Sequence, residues 1–233
     1  MRDTWARIVY GITGFAAFIG VLFSSWITVS NSPQEIADEG SVPAAAVHAS
    51  PEVFDLLVVR GLNTFVYFTI ASNITVAVVC IILMTNPHKR GKVFDVFRVF
   101  SLVAIIITGI VYNAILRAEA DPVGFSAFNT NIVHVFVPIM AVVGWLFFGP
   151  RIKFAWKTVW ACAGIGLIWL VFTFIRGAFI NWYPYPFLNV DYLGYPKAIG
   201  ACVGILVIAI LLACGILALD KKLPGEKPWL NKA

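Results

Sequence analysis

Residues 198–219 read AIGACVGILVIAILLACGILAL, twenty-two positions without an Asp, Glu, Lys or Arg. A bilayer core of about 30 Å needs roughly 20 apolar residues as helix, so this run reads as a membrane span. Working outward, five more charge-free runs appear at 8–29, 63–84, 99–116, 130–148 and 158–175. Backbone groups in lipid must be satisfied within the segment, and apolar runs of this length meet that demand as helices rather than barrel strands. The sequence therefore predicts an all-α integral membrane protein, one domain over residues 1–233 built as a bundle of six transmembrane helices. The chain is 60% hydrophobic and only 12% charged, with mean hydropathy +0.87. Soluble domains carry about a quarter charged residues, so this balance excludes a soluble enzyme, a disordered chain and a nucleic-acid-binding domain.

The net charge of +5 is a topology signal before it is anything else. Placing the N-terminus, the 85–98 and 149–157 loops and the C-terminal tail on one side gathers every Lys and Arg there except Arg60, Arg117, Arg176 and Lys197. That asymmetry predicts cytoplasmic termini in a cell membrane and an exterior loop over 30–62. Trp26, Trp145, Trp160 and Trp182 fall near span boundaries, as an aromatic belt does. The first apolar run exceeds the length of a signal-peptide core and reads as a retained helix. In the exterior loop, Ser32-Pro33-Gln34-Glu35 is a capping box, and Ser50-Pro51-Glu52 opens a second helix. Cys80, Cys162, Cys202 and Cys214 lie inside spans without a CxxC pair and read as packing residues. Gly200-Ala201-Cys202-Val203-Gly204 is a small-xxx-small pattern, expected to seat another helix of the same chain.

Chemistry is sought among groups that are expensive to place in hydrocarbon. Apart from tyrosines and cysteines, His134 is the one titratable side chain within the spans. In the second span Thr69, Ser72 and Asn73 stand at i, i+3 and i+4, a polar stripe on one helix face. Counted along their spans, Thr69 and His134 lie at similar depths, roughly 6–9 Å below the exterior ends. Pro138 frees the carbonyl of residue 134 and predicts a kink there. Tyr112, Asn113, Arg117, Asn131 and Arg176 gather at the same level, whereas the inner halves are almost purely apolar. The expected site is a pocket open to the outer leaflet.

A hydroxyl beside an imidazole is the minimum for nucleophilic acyl transfer. Thr69 is the expected nucleophile and His134 the base, with Ser72 or Asn73 as oxyanion donor and Asp191 a candidate to orient the imidazole. Asn113, Asn131 and Arg176 complete the candidate binding set. No second intramembrane His offers haem ligation, no span lysine offers a Schiff base, and a lone His is a poor metal site. No cofactor and no metal is expected, and the expected partners are the bilayer and a lipid or lipophilic ester. A non-catalytic lipid- or small-molecule-binding or carrier protein using the same pocket, or a structural membrane subunit, are the rival readings.

Three stretches carry a resemblance: YFTIASN at 67–73, NIVHVFVP at 131–138 and WYPYPFL at 182–188. They resemble the androgen-induced-gene-one-like family of six-helix membrane proteins, which has many bacterial relatives. Characterised animal members are intramembrane threonine hydrolases of fatty acid esters of hydroxy fatty acids, using a helix-two Thr and a helix-four His. The resemblance implies that Thr69 and His134 fill those roles, and that the membrane is a bacterial plasma membrane.

Overall fold

The computed structural model describes residues 1–30, 57–118, 120 and 122–224; both helix starts expected in the 30–62 loop lie outside them. Every regular element among the described residues is helical. The helices of eight residues or more are, in chain order, α1 (Arg2–Ser30), a short α2 (Leu57–Thr64), α3 (Phe68–Thr85), α4 (Lys92–Leu116), α5 (Gly124–Phe148), α6 (Trp156–Ile180) and α7 (Tyr195–Leu219), with two short helical turns, Pro186–Leu188 and Val190–Leu193, between the last two. All but α2 are long and apolar enough to cross a bilayer, and six such helices suggest a membrane protein. Large apolar side chains such as Phe15, Val78, Ile110, Ile139, Ile168 and Leu211 point outward from all six, which water would not tolerate over so wide a surface.

Five helices overrun the runs that mark them; in α1, α4, α6 and α7 the added turns carry Lys or Arg, which continue a helix once their heads reach a polar layer, and in α5 they are the uncharged residues 124–129. Arg98 is the sharpest case: read as a loop residue, it lies on α4 and is 1% exposed. The run at 63–84 is broken instead. The amides of Phe65, Val66 and Tyr67 bond back to Leu62, Asn63 and Thr64, closing α2 in a tight turn. The Val66 carbonyl is taken by Trp169 Nε1 at 2.9 Å, and Tyr67 is extended (ψ 129°), so α3 starts afresh at Phe68. Propensity favoured continuity here; a tertiary hydrogen bond overrode it.

Helix α4 is the most buried of the six and packs against α3, α5, α6 and α7, while α1 lies along α3 and α5. The close approach of α1 depends on glycine: a Cβ on Gly14 would stand 3.2 Å from Cys80 Cβ, and one on Gly20 would stand 2.6 Å from Val133 Cγ1. The Gly200–Gly204 pattern does not act this way. A Cβ at either position meets nothing, and α7 packs through Cys202, Ile205 and Ala209 instead. The expectation of a tight intramolecular crossing there is wrong: small residues permit close approach without causing it.

At one end of the bundle the N-terminus, the 86–91 and 149–155 loops and residues 220–224 converge, as the charge pattern required. Arg7 donates to the Met84 and Thr85 carbonyls, and Arg2 to that of Phe147. Arg151 is fully buried; it donates to Asp220 Oδ1 at 3.1 Å and to the Trp145 and Leu146 carbonyls. Arg98 donates to Tyr10 Oη and the Gly149 carbonyl. The opposite end carries α2, the α4–α5 connection and residues 181–194.

Candidate active site

Thr69 is the second residue of α3, so its amide is one of the unpaired donors of a helix N-terminus. That amide donates to Tyr185 Oη at 3.1 Å. The Thr69 hydroxyl lies 3.2 Å from His134 Nε2 and 3.3 Å from Tyr185 Oη. The other imidazole nitrogen, Nδ1, lies 3.1 Å from the Thr130 carbonyl oxygen. A carbonyl only accepts, so the proton sits on Nδ1 and Nε2 is left with its lone pair aimed at the hydroxyl. Thr69 Oγ1 then donates to His134 and accepts from Tyr185. The face of the imidazole is covered by the Tyr112 ring, stacked with centroids 3.9 Å apart.

The backbone around His134 departs from an α-helix, since residues Ile132–Phe136 form a π-helical turn just before Pro138. The sequence expectation of a freed carbonyl at 134 holds: with no amide on Pro138 to take it, it accepts from Asn113 Nδ2 at 3.2 Å. Gly109 makes room for this, because a Cβ there would crowd Pro138 Cβ at 3.2 Å and the His134 carbonyl at 3.3 Å.

The polar stripe on α3 does a different task from the one expected. Ser72 Oγ donates to the Thr69 carbonyl and accepts from Thr108 Oγ1 at 2.9 Å. Asn73 Nδ2 donates to the carbonyls of Thr69 and Val133. Both donors are spent on backbone, so neither serves an oxyanion; they fasten α3 to α4 and to the His134 turn. Asn131 is exposed and donates to Ala127 on its own helix. Arg176 donates to Asn63 Oδ1 and covers the Trp182 ring, tying α6 to α2 outside the site. Asp191 is exposed in a helical turn (Val190–Leu193), where its amide donates to Asn189, and it does not orient His134; the Thr130 carbonyl does. The depth estimate for Thr69 also fails, since α3 begins one residue before it.

Tyr185 is the site residue that sequence reasoning passed over as a participant, while Tyr112 was placed at the right level without a role. Tyr185 precedes Pro186, which forces it extended (φ −140°, ψ 145°) and turns its ring inward. The signal was present in Pro184-Tyr185-Pro186, although nothing in it named a target. Burial raises the Tyr185 pKa above the ordinary tyrosine value, so the phenol remains a protonated donor. Tyr67 and Phe187 pack against its ring.

Two cavities meet at Thr69. One is an apolar slot running between α4, α6 and α7 from Tyr112 down to Phe100 and Cys162. The other is a more polar chamber walled by Ser24, Thr28, Thr64, Ser126, Thr130 and His134 among others. Thr69, Tyr112, Leu116 and Tyr185 border both. The slot reaches well below the shallow pocket expected from the polar residues, because an apolar cavity leaves no polar mark in sequence. Among the described residues no cluster of three or more His, Cys, Asp or Glu is placed to hold a metal. Comparison of the chain with known protein families, curated proteins and solved structures finds no match.

Proposed function

We propose that the chain is an integral membrane hydrolase of lipophilic esters, with its termini cytoplasmic and its reactive pair near the exoplasmic face. One observation carries this reading: the Thr69 hydroxyl is within hydrogen-bond reach of His134 Nε2 while Nδ1 is committed to the Thr130 carbonyl. As Thr69 Oγ1 attacks the ester carbonyl, its proton passes to Nε2 and the carbonyl π-electrons move to oxygen. When the tetrahedral centre collapses, the bond to the alcohol oxygen breaks and that oxygen takes the proton from Nε2. Water then attacks the Thr69 ester with the same proton path, releasing the acid and restoring the hydroxyl. Tyr185 Oη, protonated and beside Thr69 Oγ1, is placed to donate to the developing oxyanion, aided by the positive end of α3. The resemblance at 67–73, 131–138 and 182–188 to the androgen-induced-gene-one-like family supports the same roles. A lipid carrier needs the cavities but gives no reason to hold an imidazole lone pair against a threonine hydroxyl. The test is labelling with a lipophilic fluorophosphonate: Thr69→Ala and His134→Ala each lose it while keeping expression and helicity. Labelling that survives in Thr69→Ala refutes the nucleophile.

A further inference from the structure

The proposed reactive pair stands at the border of two chambers, one apolar and one more polar, and the chemistry of the proton decides which half of a substrate enters which. His134 lines the polar chamber and is absent from the walls of the slot. In ester cleavage the leaving alcohol oxygen must reach Nε2 to collect its proton, so the alcohol half lies on the His134 side. The acyl half, on the other substituent of the same carbonyl carbon, is left facing the slot.

The slot is built for it. On α4, Phe100, Val103, Ala104, Ile107 and Val111 form a continuous i, i+3, i+4, i+7 face, and the walls opposite are kept back by small residues at Ala163, Gly166 and Ala209. A Cβ at Gly166 would meet nothing within 4 Å, so this glycine fronts open space. From Tyr112, level with His134, to Phe100 is twelve residues of α4, roughly 18 Å, the span of about a dozen extended methylenes. Phe100 is the lowest α4 residue in the slot wall.

Resting on the hydrolase reading above, we infer that the apolar slot is an acyl-chain ruler: it takes the straight acyl half of the ester, and Gly166 and Phe100 set the chain length accepted. The polar chamber takes the alcohol. Side chains added at Gly166 cut the slot part-way down; removing the Phe100 ring deepens it.

The test uses the whole protein in detergent and p-nitrophenyl acetate, butyrate, octanoate, dodecanoate and palmitate as probes. Gly166→Phe is expected to lower the palmitate-to-butyrate ratio of kcat/KM by about tenfold or more, the scale at which a pocket discriminates between chain lengths. Phe100→Ala is expected to move the optimum towards longer chains. Gly164→Phe, on the same helix but outside the slot and also facing open space, is the control and keeps the wild-type profile. An unchanged ratio in Gly166→Phe and an unmoved optimum in Phe100→Ala overturn the ruler while leaving the hydrolase intact. A wild-type protein that cleaves none of the esters overturns both. Should Gly166→Phe fail to fold, Ala163→Leu narrows the same wall one turn lower and is read in the same way.

Discussion

The phenol oxygen of Tyr185 lies 3.1 Å from the amide nitrogen of Thr69 and 3.3 Å from its hydroxyl oxygen. One side chain from the α6–α7 connection thus caps helix α3 and touches the hydroxyl of the proposed nucleophile. A helix N-terminus left bare in an apolar setting costs the full desolvation of its amides, so Tyr185 stabilises the start of α3 where Thr69 must be held. In the proposed reaction the same hydroxyl has its proton to give once Thr69 Oγ1 becomes bonded to carbon.

Replacing Tyr185 with Phe therefore separates two effects. Loss of an oxyanion donor lowers kcat by about 10²-fold with little change in KM. The ring stays to pack on Tyr67 and Phe187, so the fold persists. Ester kinetics at saturating substrate check this; a kcat equal to wild type removes Tyr185 from the mechanism. Because burial raises the pKa of this phenol, its donor form is fully present through neutral and mildly alkaline pH. Ionisation of Tyr185 should produce no alkaline fall in rate below pH about 10, the ordinary tyrosine value.

Far from the site, the ion pair of Arg151 with Asp220 holds the other end of the bundle, at 0% and 1% side-chain exposure. Asp220 also accepts from Trp145 Nε1 and from the Ile152 amide, which binds the C-terminal end of α7 to the α5–α6 connection. Arg151→Met strands a buried carboxylate, and about 3–5 kcal/mol of stability goes with it. The expected readout is a large fall in the midpoint of thermal unfolding in detergent. Fluorophosphonate labelling in the cold should survive, since the pair is at the opposite end from Thr69. A midpoint within a degree or two of wild type would show that the clasp carries no stability.

Much of this architecture was legible. Six charge-free runs gave six helices, and the Lys and Arg distribution grouped the segments that do meet at one end. Thr69 and His134 could be paired because polar side chains in apolar helices are few and must satisfy one another. What stayed hidden was local geometry. The break at 65–67 depends on Trp169, a hundred residues away, and no window of sequence contains it. Ser72 and Asn73 share the Thr69 face, yet periodicity does not say whether an amide finds a ligand or a carbonyl first; here the nearer carbonyls took it. Asp191 was attractive only as an acid in the right loop. The slot left no trace, because apolar cavity walls and apolar packing are written with the same residues.

Side assignment has its own check. Single cysteines at Lys89 and Lys153 should react with a membrane-impermeant maleimide only after permeabilisation of cells, and those at Asp191 and Lys197 before it. Asp191 and Lys197 are exposed, and the four native cysteines are buried or half-buried, which keeps the background low. The 13-to-4 division of Lys and Arg between the two ends underlies this expectation. The reverse labelling pattern moves the reactive pair to the cytoplasmic face.

Gly20 gives a test of how firmly His134 must be held. It lies on α1, and the Cβ of an alanine would stand 2.6 Å from Val133 Cγ1 and 3.3 Å from Ile132 Cγ2, both in the π-helical turn that carries His134. Neither neighbour is the far end of a long chain, so the turn itself must shift. Overpacking of this kind costs about 1–3 kcal/mol, a modest loss for the bundle. For the site the consequence is larger, because a 1 Å displacement of the imidazole can cost about 10²-fold in rate. Gly20→Ala is thus expected to unfold slightly below wild type yet lose most of its ester turnover. Gly215→Ala, at a position where a Cβ meets nothing, should lose neither. If Gly20→Ala keeps full turnover, the turn around His134 is more yielding than its contacts with α1 imply, and the positioning of the base must come from its other contacts: the Thr130 carbonyl, the Tyr112 ring, and the amides of Asn113 and Asn73 on the backbone of the turn.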